Sequence, residues 1–123
     1  KSFLNLKDIL GNYVDEIIMY NANNQSGQKD LPMPNFKNCS LPFNKAHFTV
    51  EGYMRACCND YENNLAIESI KEKKIIDVWN SVIFKDLRKK HLEDKMDGTL
   101  CGKCIRNSSA EIKPLNENLT KNN

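Results

Sequence analysis

The sequence predicts an α+β fold, a small domain in which a β-hairpin is followed by helices. The hairpin is predicted from two β-prone runs, HFTV at 47–50 and YMRAC at 53–57, which flank the turn dipeptide Glu51-Gly52. The helices are predicted from apolar residues that recur at helical spacing later in the chain. With 123 residues and a formal net charge of +2, the chain fits one small domain and presents no basic face for nucleic acid.

A helix and a strand are predicted before this domain. The first ten residues carry apolar side chains at helical spacing, and Gly11 marks the expected end of the helix. Residues 13–20, YVDEIIMY, are β-prone without clean alternation, which is typical of a strand covered on both faces. Residues 23–38 hold two prolines and many asparagines, so they are predicted to form a linker.

Two helical segments are predicted after the hairpin. Residues 65–80 are expected to contain a short helical turn or two near Trp79, and Ser81 is a favourable N-cap for a longer helix over 82–96. The apolar face of that helix is formed by Ile83, Phe84, Leu87 and His91. Residues 107–123 are polar and aperiodic and are predicted to be a frayed tail.

All five cysteines fall within 66 residues of one another. Cys101 and Cys104 form a C-x-x-C knuckle that lets two sulfurs face one metal centre, with Gly102 easing a tight backbone. Cys39 precedes the hairpin and Cys57 ends it, so the fold can bring both sulfurs to its open end. Four thiols of this kind suit a tetrahedral zinc ion or an iron-sulfur cluster.

Other interpretations of the cysteines are buried free thiols, disulfides with one odd thiol, and a dithiol switch at Cys101 and Cys104. A switch predicts a thioredoxin-like βαβ context, which the sequence does not show. His47 and His91 are candidate ligands or bases, although ordinary packing explains each of them more simply. The sequence has neither a membrane-length apolar run nor a signal-peptide core near its start, so we expect a cytoplasmic location without membrane contact.

The order of four motifs carries a family resemblance. The motifs are NCSLPF at 38–43, EGYMRACCND at 51–60, IIDVWNSVIFKDLRKKHL at 75–92 and CGKC at 101–104. Their order resembles the auxiliary-cluster domain at the carboxyl end of many radical S-adenosylmethionine (SAM) enzymes, the SPASM domain and its shortened twitch variant. Twelve residues separate Cys39 from Gly52 and four separate Gly52 from Cys57, similar to the family's C-x(9-15)-G-x4-C opening.

The resemblance implies one [4Fe-4S] cluster, with zinc as the alternative metal. The implied ligands are Cys39, Cys57, Cys101 and Cys104, with Cys58 as the alternative ligand. The longer SPASM pattern continues with more cysteines, whereas Ala110 stands where the next would fall. Five cysteines therefore fit the twitch-like form with one fully ligated cluster, whose implied role is electron transfer during substrate oxidation or peptide or sugar modification.

The resemblance also implies a partner and a parent enzyme. In this family the auxiliary domain follows a partial (β/α)6 radical SAM barrel, and the early helix and strand resemble the end of such a barrel on the same polypeptide. The chain has no CxxxCxxC, the motif that binds the SAM-cleaving cluster, so we do not expect it to be catalytic alone. The parent is expected to be a radical SAM oxidoreductase with a peptide or small-molecule substrate. The predicted segments are 1–22 from the barrel, linker 23–38, auxiliary domain 39–106 and polar tail 107–123.

Overall fold

The computed structural model describes residues 2–18 and 38–120. Its helices are α1 (Ser2–Leu10), α2 (Leu41–Asn44), α3 (Ile75–Trp79), α4 (Val82–Leu92), α5 (Leu100–Arg106) and α6 (Glu117–Thr120), and its strands are β1 (His47–Phe48), β2 (Tyr53–Arg55) and β3 (Ala66–Ser69). The strands form an antiparallel sheet in the order β1-β2-β3, so the small α+β fold is confirmed. Among these residues, no helix combines the length and the apolar character that a membrane span requires.

The region before the linker contains the predicted helix but not the predicted strand. Helix α1 is followed by Gly11, whose N–H donates to Lys7 O at 2.9 Å. Residues 13–18 form no strand, so the strand prediction at 13–20 is wrong over this part. A strand needs a neighbour for its hydrogen bonds, and no strand in the described parts of the chain pairs with this segment. Residues 19–37, which include nearly all of the predicted linker, lie outside the described residues.

The predicted hairpin is confirmed, with shorter strands and a longer turn. In its ladder His47 lies opposite Arg55 and Phe48 lies opposite Met54. The turn covers residues 49–52: Gly52 N donates to Thr49 O at 3.0 Å, and Thr49 N donates to Tyr53 O at 2.9 Å. Gly52 has a φ of 87°, a left-handed conformation that favours glycine. This geometry explains why the turn takes four residues and not the two that Glu51-Gly52 alone predicted.

The third strand, β3, was missed by the sequence patterns. It lies in the segment 65–80, where only a helical turn was predicted, and that turn is confirmed as α3. Strand β3 pairs with β2, with an irregularity between Met54 and Arg55. Its four residues are too few to show a periodicity, so their pairing with β2 sets their conformation.

The longer helix α4 contributes its apolar face to the core that it shares with the sheet and with α3. Ser81 caps it as predicted, because its hydroxyl accepts from Phe84 N at 3.4 Å. Phe84 and Leu87 are fully buried together with Val78 of α3 and Met54 of β2, which confirms the centre of the predicted face. The remaining two residues of that face, Ile83 and His91, are half-buried.

Helix α4 ends at Leu92, four residues before the predicted end. Asp94 adopts a φ of 54°, its N–H donates to His91 O at 3.4 Å, and Lys95 N donates to Lys90 O at 2.8 Å. These bonds are those of a Schellman motif, here with aspartate at the left-handed position that glycine usually takes. The motif stops the helix and turns the chain towards α5.

The segment after α5 is held against the domain, which contradicts the expectation of a frayed tail for its middle part. Lys113 N donates to Gly98 O at 2.8 Å, and Leu115 N donates to Asn64 O at 2.9 Å. The side chains of Ile112 and Leu115 pack against the core. Two apolar side chains and two backbone N–H groups of this segment therefore contact the rest of the domain. The polar, aperiodic sequence of the segment did not indicate these contacts. The boundaries of the four predicted segments stay predictions.

Candidate metal centre

Four of the five cysteines line one cavity of about 310 Å³. They are Cys39, Cys57, Cys101 and Cys104, the four predicted ligands. The rest of the wall is formed by Leu41, Pro42, Ala56, Leu65 and Ile105 together with Asn38, Ser40 and Asn59. Cys58 is exposed and does not line this cavity. The structure therefore brings the four predicted residues together inside a mostly apolar wall and leaves the alternative residue outside it.

Helix α5 presents Cys101 and Cys104 from one face, because residues three apart on a helix are neighbours. Its N-cap is Thr99, whose hydroxyl accepts from Gly102 N at 3.1 Å and donates to Met96 O at 2.6 Å. The C-x-x-C pair is thus helical. The expectation that Gly102 eases a tight knuckle backbone is wrong.

Gly102 is required for a different reason, the close approach of α5 to the preceding backbone. A Cβ at this position would overlap the carbonyl oxygen of Met96 and lie 2.8 Å from its carbonyl carbon. The glycine lets the first turn of α5 lie against this peptide, and in doing so it sets the depth at which Cys101 enters the cavity. Cys101 is the most buried of the four, with 8% of its surface exposed.

Cys57 lies in a loop and not at the end of a strand. Strand β2 ends at Arg55, and after Ala56 the chain turns, with Asp60 N donating to Cys57 O at 3.5 Å. The prediction that the strand reaches residue 57 is therefore wrong, and alternation along a strand cannot separate Cys57 from Cys58. The loop separates them instead, with Cys57 half-buried in the cavity wall and Cys58 exposed.

A backbone N–H in this loop reaches the Cys57 sulfur. Asn59 N donates to Cys57 Sγ at 3.4 Å. Hydrogen bonds of this kind to a ligand sulfur are one of the ways in which a protein sets the potential of an iron-sulfur cluster. Asn59 was missed by the sequence analysis, since a backbone donor leaves no mark in residue type.

The Cys39 segment is fastened by an arginine of α4. Arg88 Nε donates to Pro42 O at 2.7 Å, and its Nη1 donates to Trp79 O at 2.8 Å. The guanidinium also lies 3.9 Å from the ring centre of Phe84 and 4.2 Å from that of Trp79. Arg88 thus ties helix α2, which begins two residues after Cys39, to α3 and α4. Trp79, Phe84 and Arg88 all lie in the motif at 75–92 that carries the family resemblance, but nothing in that motif indicates that Arg88 contacts the Cys39 segment.

The electrostatics of the cavity depend on the state of its thiols. Burial raises the pKa of the Cys101 thiol, and the neighbouring Cys57, Cys39 and Cys104 raise it further, as does Asp60. Cys101 therefore stays protonated at neutral pH in the metal-free protein. A metal must displace this proton when it binds, because the thiolate is the ligand form of cysteine.

We expect the metal-free protein to be alkylated first at Cys58 and last at Cys101. The thiolate is the reactive form of cysteine. Cys101 has a raised pKa and is almost fully buried, whereas Cys58 is exposed. Iodoacetamide labelling of reduced, chelator-treated protein, followed over time by peptide mass mapping, gives the order. Unfolding in urea is the control and should make the rates similar. Early labelling of Cys101 in the folded protein would contradict this description of the cavity.

The two histidines lie outside the cavity wall. His91 packs edge-on against Phe43, with ring centres 6.1 Å apart, and its pKa is lowered by burial and by Arg106. His47 lies in β1, and its pKa is lowered by burial first and by Arg55 next. Neither histidine lines the cavity with the four cysteines.

Comparison with known families assigns the same region. Residues 39–105, more than half of the chain, match the SPASM family model, described as an iron-sulfur cluster-binding domain. The match begins at the first cavity cysteine and ends directly after the last. No match was found among curated proteins or among solved structures.

Proposed function

Because the chain belongs to the SPASM family of iron-sulfur cluster-binding domains, we propose that it holds one [4Fe-4S] cluster through Cys39, Cys57, Cys101 and Cys104. The observation that carries this proposal is the single cavity lined by these four thiols. They come from three separate parts of the chain, before α2, after β2 and on α5. A fully ligated cluster of this type takes one thiolate on each iron, so the donor set fits the group.

When bound, such a cluster supplies one-electron transfer. The four thiolates leave no open iron position for a substrate, so we assign the domain to electron transfer. The apolar side chains of Leu41, Pro42 and Leu65 limit the access of water to the site. The loop after β2 adds one hydrogen-bond donor, Asn59 N, at the Cys57 sulfur.

We further propose that the domain serves a cytoplasmic radical SAM oxidoreductase that modifies a peptide, a sugar or another small molecule. The support is the family resemblance, since SPASM domains accompany partial (β/α)6 barrels in many such enzymes. The proposed partner is a barrel of this kind on the same polypeptide, which would supply the CxxxCxxC motif. Nucleic acid and membranes are not among the proposed partners.

Structural zinc is the second candidate, because four thiolates also suit zinc. A single zinc ion needs its sulfur ligands gathered at about 2.3 Å from one point. The match of residues 39–105 to a family of iron-sulfur cluster-binding domains favours a cluster over zinc as the group held by these thiols.

Metal and sulfide analysis tests the proposal. Protein purified or reconstituted without oxygen is expected to contain iron and acid-labile sulfide in equal amounts, about four of each per chain. It should also show the broad visible absorption of a cluster. Colourless protein with stoichiometric zinc under the same conditions would overturn the proposal and establish the zinc alternative.

A further inference from the structure

One arginine side chain holds the loop that presents Cys57. Arg55, the last residue of β2, donates from Nη1 to Asp60 O at 2.5 Å and from Nη2 to Cys58 O at 3.4 Å. Its planar guanidinium thereby spans two carbonyl groups of the loop with its fork of donors. These two bonds restrain the positions of the Cys58 and Asp60 carbonyl groups in the loop.

The bond to Cys58 O acts on a particular peptide group. The Cys58 carbonyl and the Asn59 N–H belong to the same peptide, and a trans peptide is planar with these two groups pointing in opposite directions. The structure contains no cis peptide bond in its described residues. By holding the carbonyl, Arg55 therefore directs the Asn59 N–H, the same group that donates to Cys57 Sγ at 3.4 Å.

The arginine also polarises this peptide. A positively charged donor on the carbonyl oxygen draws electron density from the peptide, which makes its N–H a stronger donor to the sulfur. The far end of the loop is fixed independently, since the fully buried Asp60 accepts from Leu65 N at 2.6 Å through Oδ2. Arg55 is thus the side chain whose removal frees the 58–59 peptide while the loop remains anchored at Asp60.

We propose that Arg55 is a positioning residue that sets the reduction potential of the cluster through the Asn59 N–H bond to the Cys57 sulfur. The inference rests on the proposed cluster ligation. A donor to a ligand sulfur stabilises the reduced cluster, which carries one more negative charge, and so raises its potential. Loss of the arginine fork weakens this bond and lowers the potential.

The test compares Arg55→Lys and Arg55→Gln with the wild-type chain in redox titrations followed by electron paramagnetic resonance. Both variants should keep the wild-type iron and sulfide content. At a fixed ambient potential their ratio of reduced to oxidised cluster should fall about tenfold, which equals about 59 mV for a one-electron couple. Lysine keeps the positive charge but cannot bond two carbonyl groups as the arginine fork does. A lower potential in Arg55→Lys is therefore due to lost positioning of the loop and not to lost charge.

A second variant checks that Arg55 acts through the peptide. Asn59→Pro removes the N–H itself, and in that background Arg55→Lys should cause little further shift, because both changes remove the same bond. Resonance Raman spectra supply an independent readout. The shift of the iron-sulfur stretching bands on transfer to D₂O should be smaller in Arg55→Lys than in the wild type. If Asn59→Pro takes up no cluster, the Raman comparison of Arg55→Lys with the wild type is the deciding measurement.

Lys73→Gln is the matched control. Lys73 is an exposed cation that pairs with Glu68 on β3 and not with a group of the Cys57 loop, so its loss should leave the potential unchanged. An unchanged potential in Arg55→Lys, an additive shift in the double variant, or loss of the cluster from Arg55→Lys would each overturn the proposal. Failure of the proposed function is distinct, because the wild-type chain itself would then contain no iron and sulfide.

Discussion

Cys57→Ala is expected to abolish cluster binding, whereas Cys58→Ala leaves the iron and sulfide content close to that of the wild type. Cys57 lines the cavity with the other three thiols, and Cys58 is exposed outside it. Removal of one of four thiolates leaves one iron without a protein ligand. The two cysteines are adjacent, so each variant is the matched control of the other. Anaerobic iron and sulfide assays, with visible absorption, measure the outcome.

The fold of both variants should be checked in the metal-free state. Neither side chain belongs to the fully buried core, so circular dichroism spectra of the metal-free proteins should match that of the wild type. The reverse result, with the cluster kept by Cys57→Ala and lost from Cys58→Ala, would mean that the loop after β2 turns over when the cluster binds. It would identify Cys58 as the ligand.

Gly102→Ala is expected to destabilise the fold by roughly 1–3 kcal/mol and to reduce the iron content strongly. The new methyl group would overlap the Met96 carbonyl, so the first turn of α5 must move away. Cys101 and Cys104 are on this helix and would move with it. Urea denaturation of the metal-free protein gives the change in free energy of unfolding, and reconstitution gives the iron content.

Whether Gly102→Ala lowers or raises the free energy of unfolding tests the close packing of α5 on the Met96 peptide. In an open helix, replacing glycine by alanine stabilises by about 0.5–1 kcal/mol, because alanine has the higher helix propensity. Lys103→Ala changes the next helical residue, which is half-buried, and should alter stability by no more than about 0.5 kcal/mol. Higher stability of Gly102→Ala would contradict the close packing of α5 on the Met96 peptide.

Several features were accessible from local sequence because short-range chemistry decides them. Ser81 caps α4 through its own hydroxyl, and Gly52 takes the left-handed conformation of a turn, as residue type alone suggests. The four cavity cysteines were also selected in advance, from their spacing and from the resemblance to a family with an ordered cysteine pattern. The spacing of the cysteines along the chain is informative because the ligands of one metal centre occupy defined places in the fold.

Other features depended on partners that are distant in sequence. The run at 13–18 has strand propensity without a neighbouring strand in the described residues, and β3 has too little pattern of its own but pairs with β2. Arg88 reaches Pro42 across 46 positions, and Asn116 Nδ2 reaches Ile67 O across 49. Such contacts are not visible in a window of neighbouring residues.

The cysteine pattern was enough to predict a four-thiol centre, and the family resemblance implied Cys57, with Cys58 as the alternative, as one of its ligands. The cavity, the helical setting of Cys101 and Cys104, and the hydrogen bond from Asn59 N to the Cys57 sulfur were decided only by the tertiary structure. The reason is physical: residue types and spacings fix which donors exist, but the direction of a sulfur or a peptide N–H depends on the packing of separate segments. Gly102 and Arg55 illustrate this, because a Cβ at Gly102 would overlap the Met96 carbonyl oxygen and Arg55 donates to the Cys58 carbonyl of the following loop.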